Sequence, residues 1–283
     1  MHQHGYIGRK MRLPQLKEKP AIIIATFGSS NRGGAALEIF RDKLQEVFGD
    51  YEHFWAYTSE IIRKKKGLPS LQEILAKVEA NGYRKAIIQP LHIFPGTEYQ
   101  QLIETSYYFP GLRTIVSETL CHRWHFVRQI LDVVAGEFLP PDKGLNLLAL
   151  HGTPLVADPV NSAYLGLERT AIDLYPNVLV ASIDGVPDHE SVFNRIDTLQ
   201  LNRKYPRIKI IPVMYFAGLH VKKDLMGETG SWRETLENQG FTVECPEVSY
   251  RDERYFKGLA FYPECIDFFA ERISRSLTLA AYY

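Results

Sequence analysis

The strongest constraint on this chain is a repeated grammar, in which a short β-branched run, a loop and a helical pattern occur at the start and again past the middle. Ala21-Ile-Ile-Ile-Ala-Thr26 reads as a strand and breaks into Gly28-Ser-Ser-Asn-Arg-Gly-Gly34, after which helical periodicity runs to about Val47. Next come a strand from His53 to Tyr57, a helix from Leu71 to Asn81 closed by Gly82, and a strand from Ala86 to Pro90. A turn at Pro95-Gly96 leads to a helix from about Glu98, a short strand near Thr114 to Val116, and a helix from about Leu120 to Phe138. Arg63-Lys-Lys-Lys66 reads as a loop before the next helix.

Pro140-Pro-Asp-Lys-Gly144 reads as a linker, and the pattern restarts at Leu145-Asn-Leu-Leu-Ala-Leu150. The second series is a His151-Gly-Thr-Pro154 loop, a helix to about Leu174, a strand Val178 to Ile183, a helix Glu190 to Leu201 and a strand Ile208 to Val213. A loop, a helix, a strand near Val243 and a last helix from about Pro263 to Leu277 complete it. Strands alternating with helices at this spacing imply right-handed crossovers and parallel sheets covered on both faces. The expected division is a polar arm over 1–20, an α/β lobe over 21–140 and a second α/β lobe over 145–283.

The halves read as copies shifted by about 125 residues. Ala25-Thr-Phe-Gly28 falls opposite Leu150-His-Gly-Thr153, and Gln89-Pro-Leu-His-Ile-Phe-Pro-Gly-Thr-Glu98 opposite Ile211-Pro-Val-Met-Tyr-Phe-Ala-Gly-Leu-His220. Two doubly wound lobes related in this way point equivalent loops at one central cleft, and open α/β sheets bind ligands at the carboxyl ends of their strands.

Three such loops end in strong ligand types: His151 after the first strand of the second half, Asp184 after the next, and His220 after the third. Glu98 is the first half's counterpart of His220. Two imidazoles with carboxylates suit divalent cobalt, iron, nickel or zinc and leave coordination positions open. A single histidine at a strand end is more often a hydrogen-bonded structural residue than a ligand, so the coincidence of positions carries the reading. The expectation is that His151 and His220 face each other across a gap wide enough for a flat macrocycle. His122 and His125, three apart on an expected helix, form a weaker candidate pair.

Several function classes fall away. Basic and acidic residues balance at 33 each, so no net field draws the chain to nucleic acid or an anionic membrane. Cys121, Cys245 and Cys265 are odd in number and widely spaced, which argues against a zinc ribbon or a disulfide framework and for buried thiols. No apolar run approaches the roughly 18 residues that cross a bilayer. As given, the chain is expected to be cytoplasmic, with an exported form left open should a leader have preceded it. The Gly28 to Gly34 loop is neither G-x-G-x-x-G nor a Walker loop, so ATP and NAD are not expected.

Several separated motifs resemble the anaerobic-type cobalt chelatases of the CbiK family, the class II, ATP-independent enzymes that insert cobalt into sirohydrochlorin on the way to cobalamin. Gln89-Pro-Leu-His-Ile-Phe-Pro-Gly-Thr-Glu-Tyr99 is similar to the family's Q-P-L-H-I-I-P-G-E-E-Y, and Thr58-Ser-Glu-Ile-Ile-Arg63 to its T-S-R-I-I. His151-Gly-Thr153, with Asn161 and Tyr164, matches H-G-T followed by N-x-x-Y. Ser182-Ile-Asp-Gly-Val-Pro187 resembles T-V-E-G-Y-P, and Pro212-Val-Met-Tyr-Phe-Ala-Gly-Leu-His220 resembles P-L-M-L-V-A-G-D-H. Asp224-Leu-Met-Gly227 and Ser231-Trp232 resemble D-M-A-G and S-W.

The resemblance implies two flavodoxin-like lobes, His151 and His220 as metal ligands, Asp184 in place of a ligating glutamate, and Glu98 as an acidic residue of the cleft. It departs at Asp184, one methylene shorter than Glu, at Leu219, which replaces an acid, and at Lys222 and Lys223, where the family has N-D. In the implied chemistry His151 takes a pyrrole proton and holds metal, His220 is ligand and second base, and Glu98 carries protons to solvent. Phe27, Tyr57, Phe94 and Tyr215 are candidates to stack on the ring, with core packing as the competing reading. Arg32, Lys222 and Lys223 are candidates for its carboxylates. The metal, Co²⁺ or Fe²⁺ and less favoured Ni²⁺, enters as substrate. The alternative is a non-catalytic haem or tetrapyrrole binding protein on the same fold. A homo-oligomer is left open.

Overall fold

The computed structural model describes residues 15–28 and 34–282. Residues 1–14, residues 29–33, among them Arg32, and Tyr283 lie outside the described residues.

In the first half, β1 (Ala21–Thr26) runs between β2 (His53–Tyr57) and β3 (Lys85–Pro90), with β4 (Arg113–Val116) beyond β3. In the second, β5 (Leu145–Gly152) runs between β6 (Val178–Asp184) and β7 (Arg207–Pro212), with β8 (Thr242–Glu244) beyond β7. Every pairing in both sheets is parallel. All six residues of β1 are buried, as befits a central parallel strand covered on both faces. Both sheets therefore repeat one strand order, and each reverses direction between its central strand and the third: β1 and β3, then β5 and β7. In a doubly wound sheet that reversal opens the crevice at the strand ends.

The covering helices are α1 (Gly34–Phe48), α2 (Glu60–Lys66), α3 (Leu71–Ala80), α4 (Thr97–Ser106) and α5 (Trp124–Val134), then α6 (Val160–Leu174), α7 (His189–Thr198), α8 (Trp232–Asn238) and α9 (Pro263–Ala281). The last helix of each half packs on the other half. Along α9, Ser276 bonds Ser117 at 2.8 Å, Lys85 Nζ reaches the Ala280 carbonyl at 2.8 Å, and Phe269 meets Phe40 edge-on at 5.8 Å. Conversely, the Trp124 ring of α5 lies against Gly166 of α6, where a Cβ would come within 2.3 Å of it. One apolar cluster consequently contains Phe40, Ile130, Leu148, Ile211 and Phe269 from both halves. At about 1.5–3 kcal/mol for each fully buried large side chain, this shared core holds the two sheets in fixed relation.

The structure corrects three sequence expectations. Arg63 to Lys66 is the last turn of α2, not a loop. Ser59 accepts the Ile62 N–H at its start, Gly67 ends it at φ 63°, and the cationic run falls at the negative end of the helix dipole. The helix expected from Leu120 starts at Trp124, because Leu120 and Cys121 donate their N–H groups to the carbonyls of His92 and Ile93 and are held in a turn ahead of it. A hairpin of β9 (Glu247–Tyr250) and β10 (Glu253–Phe256) stands where only a connection to the last helix was expected.

Candidate metal and tetrapyrrole site

Strand register settles how the halves correspond. Ala25 pairs with Pro90 and Ala149 with Pro212, so Ala25 corresponds to Ala149, one residue away from the alignment read in the sequence. Phe27 therefore matches His151, and Gly28 matches Gly152. Both glycines have positive φ, 91° and 78°. At Gly152 the requirement is severe, since a Cβ would lie 1.7 Å from the Asp184 carbonyl oxygen. That close approach, with Thr153 N donating to Asp184 O at 3.0 Å, laces the loop after β5 to the end of β6.

His151, one residue before that glycine, is exposed at the crevice between β5 and β7. His220 arrives from the loop after β7, immediately before a π-helical segment, Val221–Leu225, a local geometry common at functional sites. The two imidazoles meet with centroids 4.8 Å apart and planes 81° to each other. His151 Nδ1 lies 3.2 Å from the Gly152 carbonyl and His220 Nδ1 lies 2.7 Å from Asp224 Oδ2. A carbonyl and a carboxylate only accept, so each Nδ1 carries the proton and each Nε2 keeps its lone pair free. In the neutral rings, each Nε2 is thereby left able to take a metal or a proton.

Contact at 4.8 Å corrects the expectation of two rings facing across a gap. Both belong to the second half, and no flat molecule fits between them. Asp184 is exposed at the end of β6, beside Gly152 in register. Among the described residues no three His, Cys, Asp or Glu side chains form a metal-holding group, so the imidazole pair stands without a third donor drawn up to it.

Across the crevice, Glu98 lies in the first turn of α4, and its Oε2 is 3.4 Å from His92 Nε2. The surrounding protein, and then the negative charge of Asp158, raise the Glu98 carboxyl above its usual range. Burial lowers His92 to about 4, which keeps it neutral. His92 was not singled out in the sequence, although it sits two residues past Pro90 in the Gln89 to Tyr99 motif. Asp224, which sets the His220 tautomer, was likewise recognised only as part of a motif. Its signal was the i, i+4 spacing from His220.

The remaining candidates divide. Phe27 is 46% exposed and Tyr57 half-buried, so both stay available at the first half's strand ends. Phe94 and Tyr215 are corrected to core residues: Phe94 packs on Tyr164 with centroids 5.0 Å apart, and Tyr215 packs on Phe269 with its hydroxyl 3.4 Å from the Ala36 carbonyl. Lys222 and Lys223 are exposed in the π-helical segment beside His220. Arg32 lies outside the described residues. His122 precedes α5 rather than lying on it, and His122 and His125 face different rings, Tyr99 and Phe126. All three cysteines are free; Cys121 and Cys265 are buried and Cys245 only partly so.

The family model for cobalt chelatase, CbiK, matches residues 20–278. The chain belongs to the CbiK cobalt chelatase family. Its enzyme class is therefore metal chelatase. Among curated relatives, the chelatase is 25% identical to a sirohydrochlorin cobaltochelatase, CbiKC, of Nitratidesulfovibrio vulgaris strain Hildenborough, over 95% of this chain and 94% of the relative. Its fold is similar to that of SirB from Bacillus subtilis with Fe³⁺, at a TM-score of 0.62 and 12% identity, covering 92% of this chain and 96% of the other. SirB from Bacillus subtilis subspecies spizizenii in complex with cobalt gives a TM-score of 0.59 at 11% identity with the same coverage. Among the described residues of the chelatase no helix is long and apolar enough to cross a membrane.

Proposed function

We propose that this chelatase inserts a divalent metal, Co²⁺ or Fe²⁺, into sirohydrochlorin without ATP. The single observation that carries the reading is the imidazole pair, His151 and His220, each with Nδ1 engaged and Nε2 free. The curated relative's activity supports the choice of tetrapyrrole and of cobalt.

Insertion exchanges two pyrrole protons for one metal ion. Because the imidazoles touch, the macrocycle lies over the pair rather than between its members, against the exposed Phe27 and the half-buried Tyr57 of the first half. The ion starts on the two Nε2 donors, with the Asp184 carboxylate closing in as a third. As the ring nitrogens replace the imidazoles on the metal, each freed Nε2 becomes a base for one pyrrole proton, which suits a group whose ordinary pKa lies near neutrality. Glu98, whose carboxyl holds a proton more readily than an ordinary glutamate, passes protons from the site to solvent. Lys222 and Lys223 meet the carboxylates at the ring's edge.

The test is to incubate the purified protein with sirohydrochlorin and Co²⁺ and follow the absorbance change on metallation. A rate well above the uncatalysed one, lost in both His151→Ala and His220→Ala, supports the proposal. Tight tetrapyrrole binding without turnover would replace the enzyme with a carrier on the same fold.

A further inference from the structure

Two helices, one from each half, begin at the same point in space without a capping side chain of their own. The N-cap of α4 is Gly96 and that of α6 is Pro159, and neither makes a side-chain cap bond. Both first-turn amides are met by one atom instead: Asp158 Oδ1 accepts the N–H of Thr97 at 3.1 Å and the N–H of Val160 at 3.1 Å. The positive ends of two helix dipoles thus converge on a single carboxylate. The approach leaves no spare room, since a Cβ at Gly96 would lie 3.0 Å from that oxygen and 3.0 Å from Val160 Cβ.

What the two helices carry gives this junction its meaning. Glu98 stands one residue past Thr97. Asp158 itself lies in the loop that follows β5, the strand that carries His151, and Asn161 ties the middle of that loop by donating to the carbonyls of Leu155 and Val156 at 2.9 and 3.0 Å. Tyr164, one turn into α6, engages the backbone of Gly152 with its hydroxyl and packs its ring on Phe94 of the loop before α4. We propose that Asp158 is a positioning residue, a clamp that caps α4 and α6 together and so fixes the distance between the proton carrier of one half and the imidazole pair of the other. It touches neither metal nor ring. Its positioning effect is carried through the backbone of Thr97 and Val160, and its charge separately helps raise the Glu98 carboxyl.

The inference rests on the chelatase reading, and its experiment separates the two. Asp158→Ala removes both caps, whereas Asp158→Asn keeps a carbonyl oxygen at the same place. Per folded molecule, kcat for metallation should fall on the order of 10²-fold in the Ala variant, the scale of a displacement near 1 Å between reacting groups. KM for the ring should stay within a few-fold of wild type, and the Asn variant should recover much of kcat. A purely structural role would lower the folded fraction and leave kcat per folded molecule unchanged in both variants, which would overturn the proposal. Because Asn also removes the charge that helps raise Glu98, the comparison is made at each variant's own pH optimum, and an Asn variant as slow as Ala there would overturn the proposal too. Amide hydrogen exchange at Thr97 and Val160, read on the resting protein, should be slow in wild type and Asn and fast in Ala; equal rates in all three would also overturn the clamp. If wild type fails to metallate while that exchange pattern holds, the chelatase proposal falls and the clamp stands.

Discussion

Replacing Asp224 by Ala should cripple metal handling without unfolding the protein. Asp224 Oδ2 accepts the His220 Nδ1 proton at 2.7 Å, and this bond keeps the other nitrogen free as a donor. Without it the imidazole can rotate or carry its proton on Nε2, the atom required by the metal. Outer partners of ligating histidines are worth 10- to 100-fold in affinity or activity, or about 1.4–2.8 kcal/mol. Both side chains are about half exposed, at 53% and 43%, so little apolar packing is lost and the melting temperature should move by only a few degrees. The assay is Co²⁺ titration of the resting protein followed by steady-state metallation. A Kd weakened 10- to 100-fold, with a parallel loss in kcat/KM and an intact fold, is expected. Unchanged Kd and kcat/KM in a folded Asp224→Ala protein would refute the tautomer argument.

Three further outcomes follow from the same geometry. Burial holds His92 at about 4 against an unfolded value near 6.5, so the unfolded chain binds more protons between those values and stability falls as pH drops from 6.5 toward 4. The loss should reach about 3 kcal/mol, and denaturant titrations across that range should show it flattened in His92→Gln. Lys222→Ala and Lys223→Ala should each raise KM for a carboxylate-bearing ring by no more than about fivefold with kcat unchanged, since exposed ion pairs are worth about 0.2–1 kcal/mol; a loss of kcat would place them in the chemistry. Phe94→Ala and Tyr215→Ala should cost stability on the scale of about 3–5 kcal/mol for truncating a buried aromatic, read by denaturation, rather than act as ring-stacking losses in KM.

Much of the fold was legible because its signals are local. The buried run Ala21 to Thr26, its echo at Leu145 to Leu150 and the glycine-ended helices fix the parallel sheets by pattern alone. Three features escaped because they depend on distant partners. The start of α5 is set by bonds from Leu120 and Cys121 to the loop after β3, and the exchange of α5 and α9 between halves is set by a shared core. The true repeat register follows from strand pairing, which a one-residue slip in sequence conceals. In the site, the histidines were marked by residue type at strand ends. His92 and Asp224 were overlooked because their roles lie in burial and in one hydrogen bond. Phe94 and Tyr215 were misassigned for a related reason: an aromatic near a strand end reads the same whether it faces a cleft or the core.

The central claim is that the Nε2 atoms of His151 and His220 together hold the ion to be inserted. X-ray absorption of the Co²⁺-loaded protein, before any tetrapyrrole is added, tests it directly. Outer-shell scattering from two imidazoles is expected in wild type, from one in His151→Ala or His220→Ala, and from none in the double variant. A wild-type spectrum with no imidazole scattering, or one unaltered by both substitutions, would contradict it.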